Sequence, residues 1–332
     1  MVNPAAGLGL LVAASVINTG FGLLMKLNGR WAWENTWLAW ALLALILFPF
    51  VLTQLTVANL AAIYGHHPAV VLRVTLLGLA WGASQIFFGL AMRTAGIAVS
   101  FATILGISAV LGGLIPLAGD ARALLSAAGL LLLSGVAVML TGIGFCAQAG
   151  RLRDAALSQG GPVSARGLIY CVLAGLGSGL MNVALASGAP LSEAALVSGA
   201  STVWAQNATW LVFLVSGAIP NIAYCLWLLG KNGSTRRYAE CATQSWPLAI
   251  AMAGCWLGSA VLYGIAAGRM GAWGPIFAWP VYMSLIVING TMAGVLTGEW
   301  SIPSRAPIRQ MAKGVLLLVV AVFLIAGSGM QP

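Results

Sequence analysis

Ten stretches of this chain are long and apolar enough to cross a lipid bilayer as α-helices, and this pattern limits the fold more than any other feature. A helix needs about 20 apolar residues to cross ~30 Å of hydrocarbon. Only 6% of the residues are charged, whereas a soluble domain has about 25%. The sequence therefore predicts an all-α integral membrane protein with ten transmembrane helices. The predicted spans are 5–25, 36–55, 70–92, 96–118, 123–146, 167–187, 202–229, 248–267, 275–297 and 314–326.

A motif bounded by glycines occurs twice in the chain. Residues 89–96, Gly-Leu-Ala-Met-Arg-Thr-Ala-Gly, resemble residues 264–271, Gly-Ile-Ala-Ala-Gly-Arg-Met-Gly. The separation of 175 positions between the two copies also relates Trp81 to Trp256 (256−81). We therefore expect two homologous repeats, an organisation common among secondary transporters.

The basic residues are distributed unevenly among the connections between the predicted helices. Twelve of the 15 Lys and Arg residues follow odd-numbered helices, and three follow even-numbered ones. Because basic side chains resist translocation, the odd connections are expected in the cytoplasm and both termini on the outer face. With five helices in each of the repeats 1–150 and 151–332, the repeats must point in opposite directions. In a membrane protein the net charge of +9 does not indicate nucleic-acid binding.

Sequence signatures of enzymes and metal sites are missing. The chain has no phosphate-binding glycine loop, no HExxH or GxSxG motif and no paired carboxylates, and its five cysteines have no metal-ligand spacing. We therefore expect no enzymatic activity, no cofactor and no bound metal. A membrane enzyme or structural subunit would need a polar constellation at one interface, and the sequence offers none.

Polar and aromatic side chains inside the predicted spans are the candidates for a binding site. Gln85 follows Trp81 by four residues and Ser259 follows Trp256 by three, so each pair shares a helix face. Indole rings stack on the C–H surface of a sugar, and amides and hydroxyls exchange hydrogen bonds with its hydroxyl groups. This combination suits a neutral polyol. The remaining predicted pocket residues are Asn18, Asn182, Trp279 and Tyr282.

A structural role is the alternative for each of these residues. A membrane-embedded amide can join neighbouring helices instead of binding a ligand, and a deep tryptophan can be a packing residue instead of a pocket wall. Tryptophans near helix ends are expected at the lipid–water interface. These are Trp31, Trp33, Trp37, Trp246 and Trp300.

The six carboxylates all fall at or beyond the edges of the predicted spans. Proton symport usually requires an ionisable group in a buried setting. Glu34, in Trp-Ala-Trp-Glu, and Glu193, in Leu-Ser-Glu-Ala-Ala, have the most apolar surroundings and are the candidates for proton coupling. The alternatives are a solvated interfacial position for Glu34 and a helix-start charge for Glu193.

Several segments of the chain together resemble a known transporter family. The most specific joins Trp81-Gly82 to Gly89-Leu90-Ala91-Met92-Arg93. The others are Arg30-Trp31-Ala32-Trp33-Glu34, Ser192-Glu193-Ala194-Ala195, Gly217-Ala218-Ile219 with Asn221, and Glu299-Trp300. In order, and over nearly the whole chain, they resemble the bacterial L-rhamnose-proton symporter family of the drug/metabolite transporter superfamily.

The resemblance implies both a fold and an activity. It implies ten helices in two inverted five-helix repeats, a location in the bacterial inner membrane, and proton-coupled uptake of a 6-deoxyhexose by alternating access. Gln85 matches the family, whereas Ser259 stands in place of a longer amide and Gly274-Pro275 in place of a carboxylate. These departures are compatible with L-fucose as substrate or with uncoupled sugar exchange. Export of amphipathic drugs or metabolites, as elsewhere in the superfamily, is the other hypothesis.

Overall fold

The computed structural model describes residues 3–95, 97–115, 121–157, 165–271, 274–298, 300–301 and 304–328. This part of the chain is helical and contains no β-strand. Gly96 and Glu299, which belong to the sequence motifs, lie outside it. The helices are α1 (Pro4–Leu27), α2 (Trp33–Trp40), a π-helix (Ala41–Leu47), α3 (Phe48–Thr56), α4 (Leu60–His66), α5 (Pro68–Thr94), α6 (Ile97–Leu114), α7 (Ala121–Leu125), α8 (Ala127–Ala156), α9 (Ala165–Ser187), α10 (Ala189–Val197), α11 (Asn207–Asn232), a 3-10 turn (Ser234–Arg236), α12 (Arg237–Glu240), α13 (Ala242–Arg269), α14 (Gly274–Leu296) and α15 (Arg305–Ser328).

Nine helical segments in the described ranges are long and apolar enough to cross a membrane. The chain is therefore a multi-pass membrane protein. A helix overlaps each of the ten predicted spans. The last predicted span, 314–326, covers only part of α15, which has 24 residues. Basic residues in the first turns of α15 made the predicted span begin too late. The tenth candidate is α6, which has 18 residues and falls short of the apolar length of the other nine.

The chain forms two compact units, and each unit draws on both halves of the sequence. Unit 1 comprises Met1–Ser15, Phe87–Asn182 and Ala266–Pro332, and unit 2 comprises Val16–Ile86 and Val183–Ile265. Compact units and predicted sequence repeats are thus different divisions of the chain. The two repeats remain a prediction.

The spacing of helix starts recurs along the chain. Helices begin at Trp33, Pro68, Ile97 and Ala127, and again at Asn207, Ala242, Gly274 and Arg305. The later starts follow the earlier ones by between 174 (207−33) and 178 (305−127) positions. Such recurrence is expected of a duplicated segment.

One end of unit 2 is formed by the turn between α1 and α2 and by the segment after α11. The Trp31 ring lies 4.9 Å from the Tyr238 ring and 5.1 Å from the Trp246 ring, measured between centroids. Burial raises the pKa of Tyr238 to about 12. Its hydroxyl therefore stays protonated and donates to the Asn35 carbonyl oxygen at 3.0 Å. These contacts join two connections that follow odd-numbered predicted spans.

The other end of unit 2 is formed by the short helices α4 and α10. Leu60 and Ile63 of α4 share a buried apolar cluster with Leu191 of α10. The Tyr64 hydroxyl donates to the Ala208 carbonyl oxygen at 2.9 Å. Both short helices belong to connections that follow even-numbered predicted spans.

Between these ends, α5 and α11 cross at glycine residues. A Cβ atom at Gly82 would overlap the Gly217 carbonyl oxygen, and one at Gly217 would lie 2.7 Å from Trp81 Cε3. Asn221 closes the crossing, because its Nδ2 donates to Gly82 O at 3.0 Å and to Gly217 O at 2.9 Å. Small residues of this kind let helix backbones approach closely in a membrane, where lipid removes the hydrophobic drive for association.

Unit 1 contains the closely packed pair α8 and α15. A Cβ atom at Gly314 of α15 would lie 2.8 Å from the Gly142 carbonyl oxygen of α8. At one end of this pair the Arg153 guanidinium lies 5.2 Å from the centroid of the Trp300 ring. Elsewhere in unit 1 the Asn3 backbone N–H donates to the Arg269 carbonyl oxygen at 2.9 Å. The start of the chain therefore lies beside the connection between α13 and α14.

Candidate functional site

α2 presents three tryptophans on one face. Trp33 stacks on Trp37, with 5.1 Å between ring centroids and 19° between ring planes. Trp37 meets Trp40 at 4.6 Å. Their spacing of four and then three residues matches the helical period, which places the rings one above another.

The row of rings continues from α2 into α13 and α5. The Trp40 ring meets the Trp256 ring at 5.2 Å and 89°, and Trp256 meets Trp81 at 5.9 Å. Phe21 of α1 packs against Trp40 at 5.8 Å. At the far side of the row, the Trp81 ring packs against the Phe213 ring of α11, with 5.2 Å between ring centroids. We name these rings the aromatic cluster; its members are Phe21, Trp33, Trp37, Trp40, Trp81, Phe213 and Trp256.

The two tryptophans predicted to share a pocket, Trp81 and Trp256, are thus in ring contact within unit 2. Trp81 is 3% exposed, whereas Trp256 is half-buried. Gln85, one turn after Trp81, is half-buried, and its amide donates to Ser84 Oγ at 3.3 Å. The Gln85 amide is therefore partly accessible, one helical turn from the Trp81 ring.

Two further predicted residues flank the aromatic cluster along their own helices. Asn18 is half-buried and precedes Phe21 by three residues, which puts both on one face of α1. Ser259 is fully buried and follows Trp256 by three residues in α13. Each cluster ring on α1, α5 and α13 therefore has a polar side chain one helical turn away.

The other three predicted pocket residues belong to unit 1, and two of them, Asn182 and Trp279, donate interhelical hydrogen bonds there. Asn182 is fully buried, and its Nδ2 donates to the Gly112 carbonyl oxygen of α6 at 2.6 Å. Trp279 Nε1 donates to the Ser108 carbonyl oxygen at 2.9 Å. Tyr282 is buried and lies 6.1 Å from Trp279 between ring centroids. The bonds made by Asn182 and Trp279 join α6 to α9 and to α14.

Trp31 and Trp37, which were predicted at the lipid–water interface, are both buried inside unit 2 and therefore do not face lipid. Trp37 Nε1 donates to Asn221 Oδ1 at 2.9 Å, so it fastens α2 to α11. Proximity to a helix end indicates depth in the membrane but not which face of the helix a residue occupies. Trp246, in contrast, is 37% exposed.

The two carboxylates proposed for proton coupling differ in their surroundings. Glu34, in the first turn of α2, is 5% exposed. Its Oε1 accepts hydrogen bonds from Ser234 Oγ at 2.6 Å and Asn232 Nδ2 at 2.9 Å. The solvated position considered for Glu34 was therefore wrong. Glu193 is exposed on α10. Among the carboxylates that the structure describes, Glu34 is the buried one.

Sequence reasoning missed Phe21, Trp40 and Phe213 as members of the aromatic cluster. The spacing of Trp33, Trp37 and Trp40 along one helix face was a usable signal for Trp40. Phe21 and Phe213 carried no comparable signal, since single phenylalanines in apolar helices are common. In the described ranges, no group of three His, Cys, Asp or Glu side chains could hold a metal ion.

The chain is similar to known proteins over nearly its whole length. Residues 6–332 match the sequence model of a family described as L-rhamnose-proton symport protein (RhaT). The chain is similar to the L-rhamnose-proton symporter of Escherichia coli O157:H7, with 27% identity over 318 residues and 91% of each chain covered. The L-rhamnose-proton symporter of Shigella dysenteriae serotype 1 matches with the same identity and coverage.

Proposed function

Since this chain belongs to the L-rhamnose-proton symport protein family, we propose that it is a secondary active transporter that takes up L-rhamnose, or a close relative such as L-fucose, together with protons by alternating access. The family match across nearly the whole chain carries this proposal. The relatives are named as symporters and not as enzymes. Sugar, protons and the surrounding lipid are the partners that this activity requires.

The aromatic cluster supports a sugar as the substrate. Trp81 and Trp256 offer indole faces that suit the C–H surface of a pyranose ring. Gln85, Asn18 and Ser259 supply donors and acceptors one turn away. The other predicted pocket residues, Asn182, Trp279 and Tyr282, lie in unit 1 and remain proposed sugar contacts there.

We further infer that α6 crosses the membrane, which gives ten spans. Two connections that touch must lie on the same side, so the number of crossings between them must be even. Trp31 contacts Tyr238, and the long helical segments between them number six only if α6 is counted. The bond between Asn3 and Arg269 leads to the same count, because eight long segments separate these residues when α6 is included.

The charges at the two ends of unit 2 support a definite orientation. Segments 26–33 and 231–241 meet at one end and contain five Lys and Arg residues, whereas segments 57–67 and 188–206 at the other end contain none. The basic end belongs in the cytoplasm. Both termini are then periplasmic, in a bacterial inner membrane.

An odd number of spans in each half supports the inverted repeat. The repeats are residues 1–150 and 151–332. The recurrence of helix starts agrees with this division, as does the composition of unit 2 from corresponding segments of the two halves. Two inverted five-helix repeats are a common architecture for alternating access.

Glu34 is the residue that best supports proton coupling. An ionised carboxylate accepts stronger hydrogen bonds than a neutral one, so protonation weakens its bonds to Ser234 and Asn232. These bonds hold the start of α2 to the segment after α11. Protonation is thereby linked to the packing of the cytoplasmic end of unit 2. The exposed Glu193 has no such link in the part of the chain that the structure describes.

Uptake into proteoliposomes tests the transport activity. An inward proton gradient should drive accumulation of radiolabelled L-rhamnose, and a protonophore should abolish it. An uncoupled exchanger would show counterflow without accumulation. An exporter of amphipathic compounds would ignore sugars and be stabilised by hydrophobic cations in a thermal-shift assay. In counterflow, Gln85→Ala should lose sugar exchange; wild-type exchange by this variant would remove Gln85 from the site.

The variant Glu34→Gln tests the coupling residue separately from the sugar site. Glutamine keeps an oxygen that can accept a hydrogen bond from Ser234, but it has no titratable proton. We expect counterflow to persist and gradient-driven accumulation to disappear. Glu240→Gln, at an exposed position, is the matched control and should accumulate sugar normally. Normal accumulation by Glu34→Gln would show that another group carries the proton.

A further inference from the structure

Trp40 has an indole N–H that is buried without an acceptor. Only 1% of the residue is exposed, and Nε1 has no hydrogen-bond partner among the described residues. Trp37, one turn earlier on α2, is almost as deeply buried but donates to Asn221 at 2.9 Å. A buried donor without a partner is strongly unfavourable, and proteins rarely retain one without a reason.

The surroundings of Trp40 do not suit a bound water as the missing acceptor. The rings of Phe21, Trp37 and Trp256 surround it at centroid distances of 4.6 to 5.8 Å. A buried water normally makes about three hydrogen bonds, and aromatic rings offer only weak ones. A sugar hydroxyl differs, because the carbon skeleton to which it is attached gains stacking contact with the same rings.

The backbone next to Trp40 is also unusual. The π-helix Ala41–Leu47 begins at the following residue, and the Phe48 N–H donates to the Leu43 carbonyl oxygen five residues back. π-helical turns are rare and are found frequently at functional sites. The π-helical backbone and the unpaired Trp40 N–H are thus separate observations where α2 ends.

From these observations we propose that Trp40 Nε1 donates a hydrogen bond to one hydroxyl of the transported sugar. This inference rests on the proposed function and names a binding residue for it. Because Trp40 is enclosed in this conformation, the half-buried Trp256 ring turns aside when sugar enters. Trp40 then selects sugars that carry a hydroxyl at one position of the ring.

Transport of L-rhamnose analogues that each lack one ring hydroxyl tests this assignment. Replacing Trp40 with 3-benzothienylalanine removes the N–H and keeps the shape of the indole, and Trp40→Phe is the genetically simpler variant. We expect a rise of about tenfold in KM for L-rhamnose, the size of one lost hydrogen bond. The variant should transport L-rhamnose and the analogue that lacks the hydroxyl bound by Trp40 equally well, because neither sugar can then form this bond. It should still reject the other analogues.

Two matched tryptophans separate this role from packing. Trp37→Phe breaks the bond to Asn221 and should lower the melting temperature, whereas 3-benzothienylalanine at position 40, which keeps the volume of the indole, should leave it unchanged or raise it. Trp227→Phe alters an exposed ring and should leave KM unchanged. If wild type transports L-rhamnose and the Trp40 variants reject every analogue as wild type does, this inference is wrong and the proposed function stands. Absence of sugar transport by wild type overturns both.

Discussion

At the scale of single residues, the position of the Trp81 ring depends on an absent side chain. Gly217 lies against this ring, and any Cβ there would come within 2.7 Å of Cε3 and 2.9 Å of Cζ3. Glycine is less favourable than alanine inside a helix by about 0.8–1.0 kcal/mol. Glycine at 217 is therefore understandable as the residue that lets α11 approach α5 and seats one end of the aromatic cluster.

The variant Gly217→Ala should be less stable than wild type. The added methyl group has to displace Trp81 or separate the two helices, and overpacking of this kind costs about 1–3 kcal/mol. We expect a lower melting temperature in detergent-purified protein and weaker sugar transport in reconstituted protein. Gly230→Ala on the same helix is the control, because no atom lies within 4 Å of its added Cβ. Equal melting temperatures for the two variants would contradict the close crossing.

At the scale of elements, the second long helix contains a π-helical segment with an identifiable cause. Pro49 follows this segment in the first turn of α3. Proline has no N–H, and its ring crowds the carbonyl group four residues earlier. Moving to bonds five residues apart, as between Phe48 and Leu43, accommodates that ring without breaking the helix. The widened turn leaves Trp40 immediately before it.

Deletion of Leu42 should convert this segment into an ordinary α-helix. A π-helical turn corresponds to one extra residue within an α-helix, and Leu42 is 43% exposed, so its loss removes little packing. We expect the variant to fold with a lower melting temperature, because the Pro49 ring again crowds the carbonyl group four residues earlier, and to lose L-rhamnose uptake. Leu42→Ala keeps the residue count and should transport normally. Uptake by the deletion variant at the wild-type rate would show that the π-helix has no part in transport.

The sequence predicted the location of the helices better than their internal details. Hydropathy located α5, α11 and α13 because a span must be apolar over about 20 residues. It missed the first turns of α15, because Arg305 and Arg309 are charged residues at the start of an otherwise apolar helix. It also gave no sign of the π-helix, since hydrogen-bond register leaves no hydropathy signal.

The candidate site was partly predictable for a related reason. The repeat offset placed Trp81 and Trp256 at corresponding positions, and the two rings are in contact. The bond between Trp37 and Asn221 was not foreseeable, because it depends on which spans pack together. Single-sequence patterns indicate how a helix faces its surroundings, but they do not identify its neighbour.

At the scale of the whole molecule, contacts between connections count membrane crossings independently of hydropathy. Among the described residues, nine helical segments are long and apolar enough to span, and nine crossings would put the two termini on opposite sides. The contact between Trp31 and Tyr238 implies an even number of crossings between them, and α6 is the crossing that we propose to complete this number. A short apolar helix can span if the bilayer thins locally or flanking residues reach the interface.

Labelling of single cysteines in intact cells tests this topology directly. Thr94 and Leu125 flank α6 and are both exposed. In a cysteine-free background that still transports, Leu125→Cys should react with a membrane-impermeant maleimide from outside, and Thr94→Cys should react only after permeabilisation. Two further variants extend the test to the two ends of unit 2. Val197→Cys, at a position 90% exposed, should react from outside, and Arg236→Cys should react only after permeabilisation. If Thr94→Cys and Leu125→Cys react from the same side, α6 does not cross, and the inverted five-helix repeat must be abandoned.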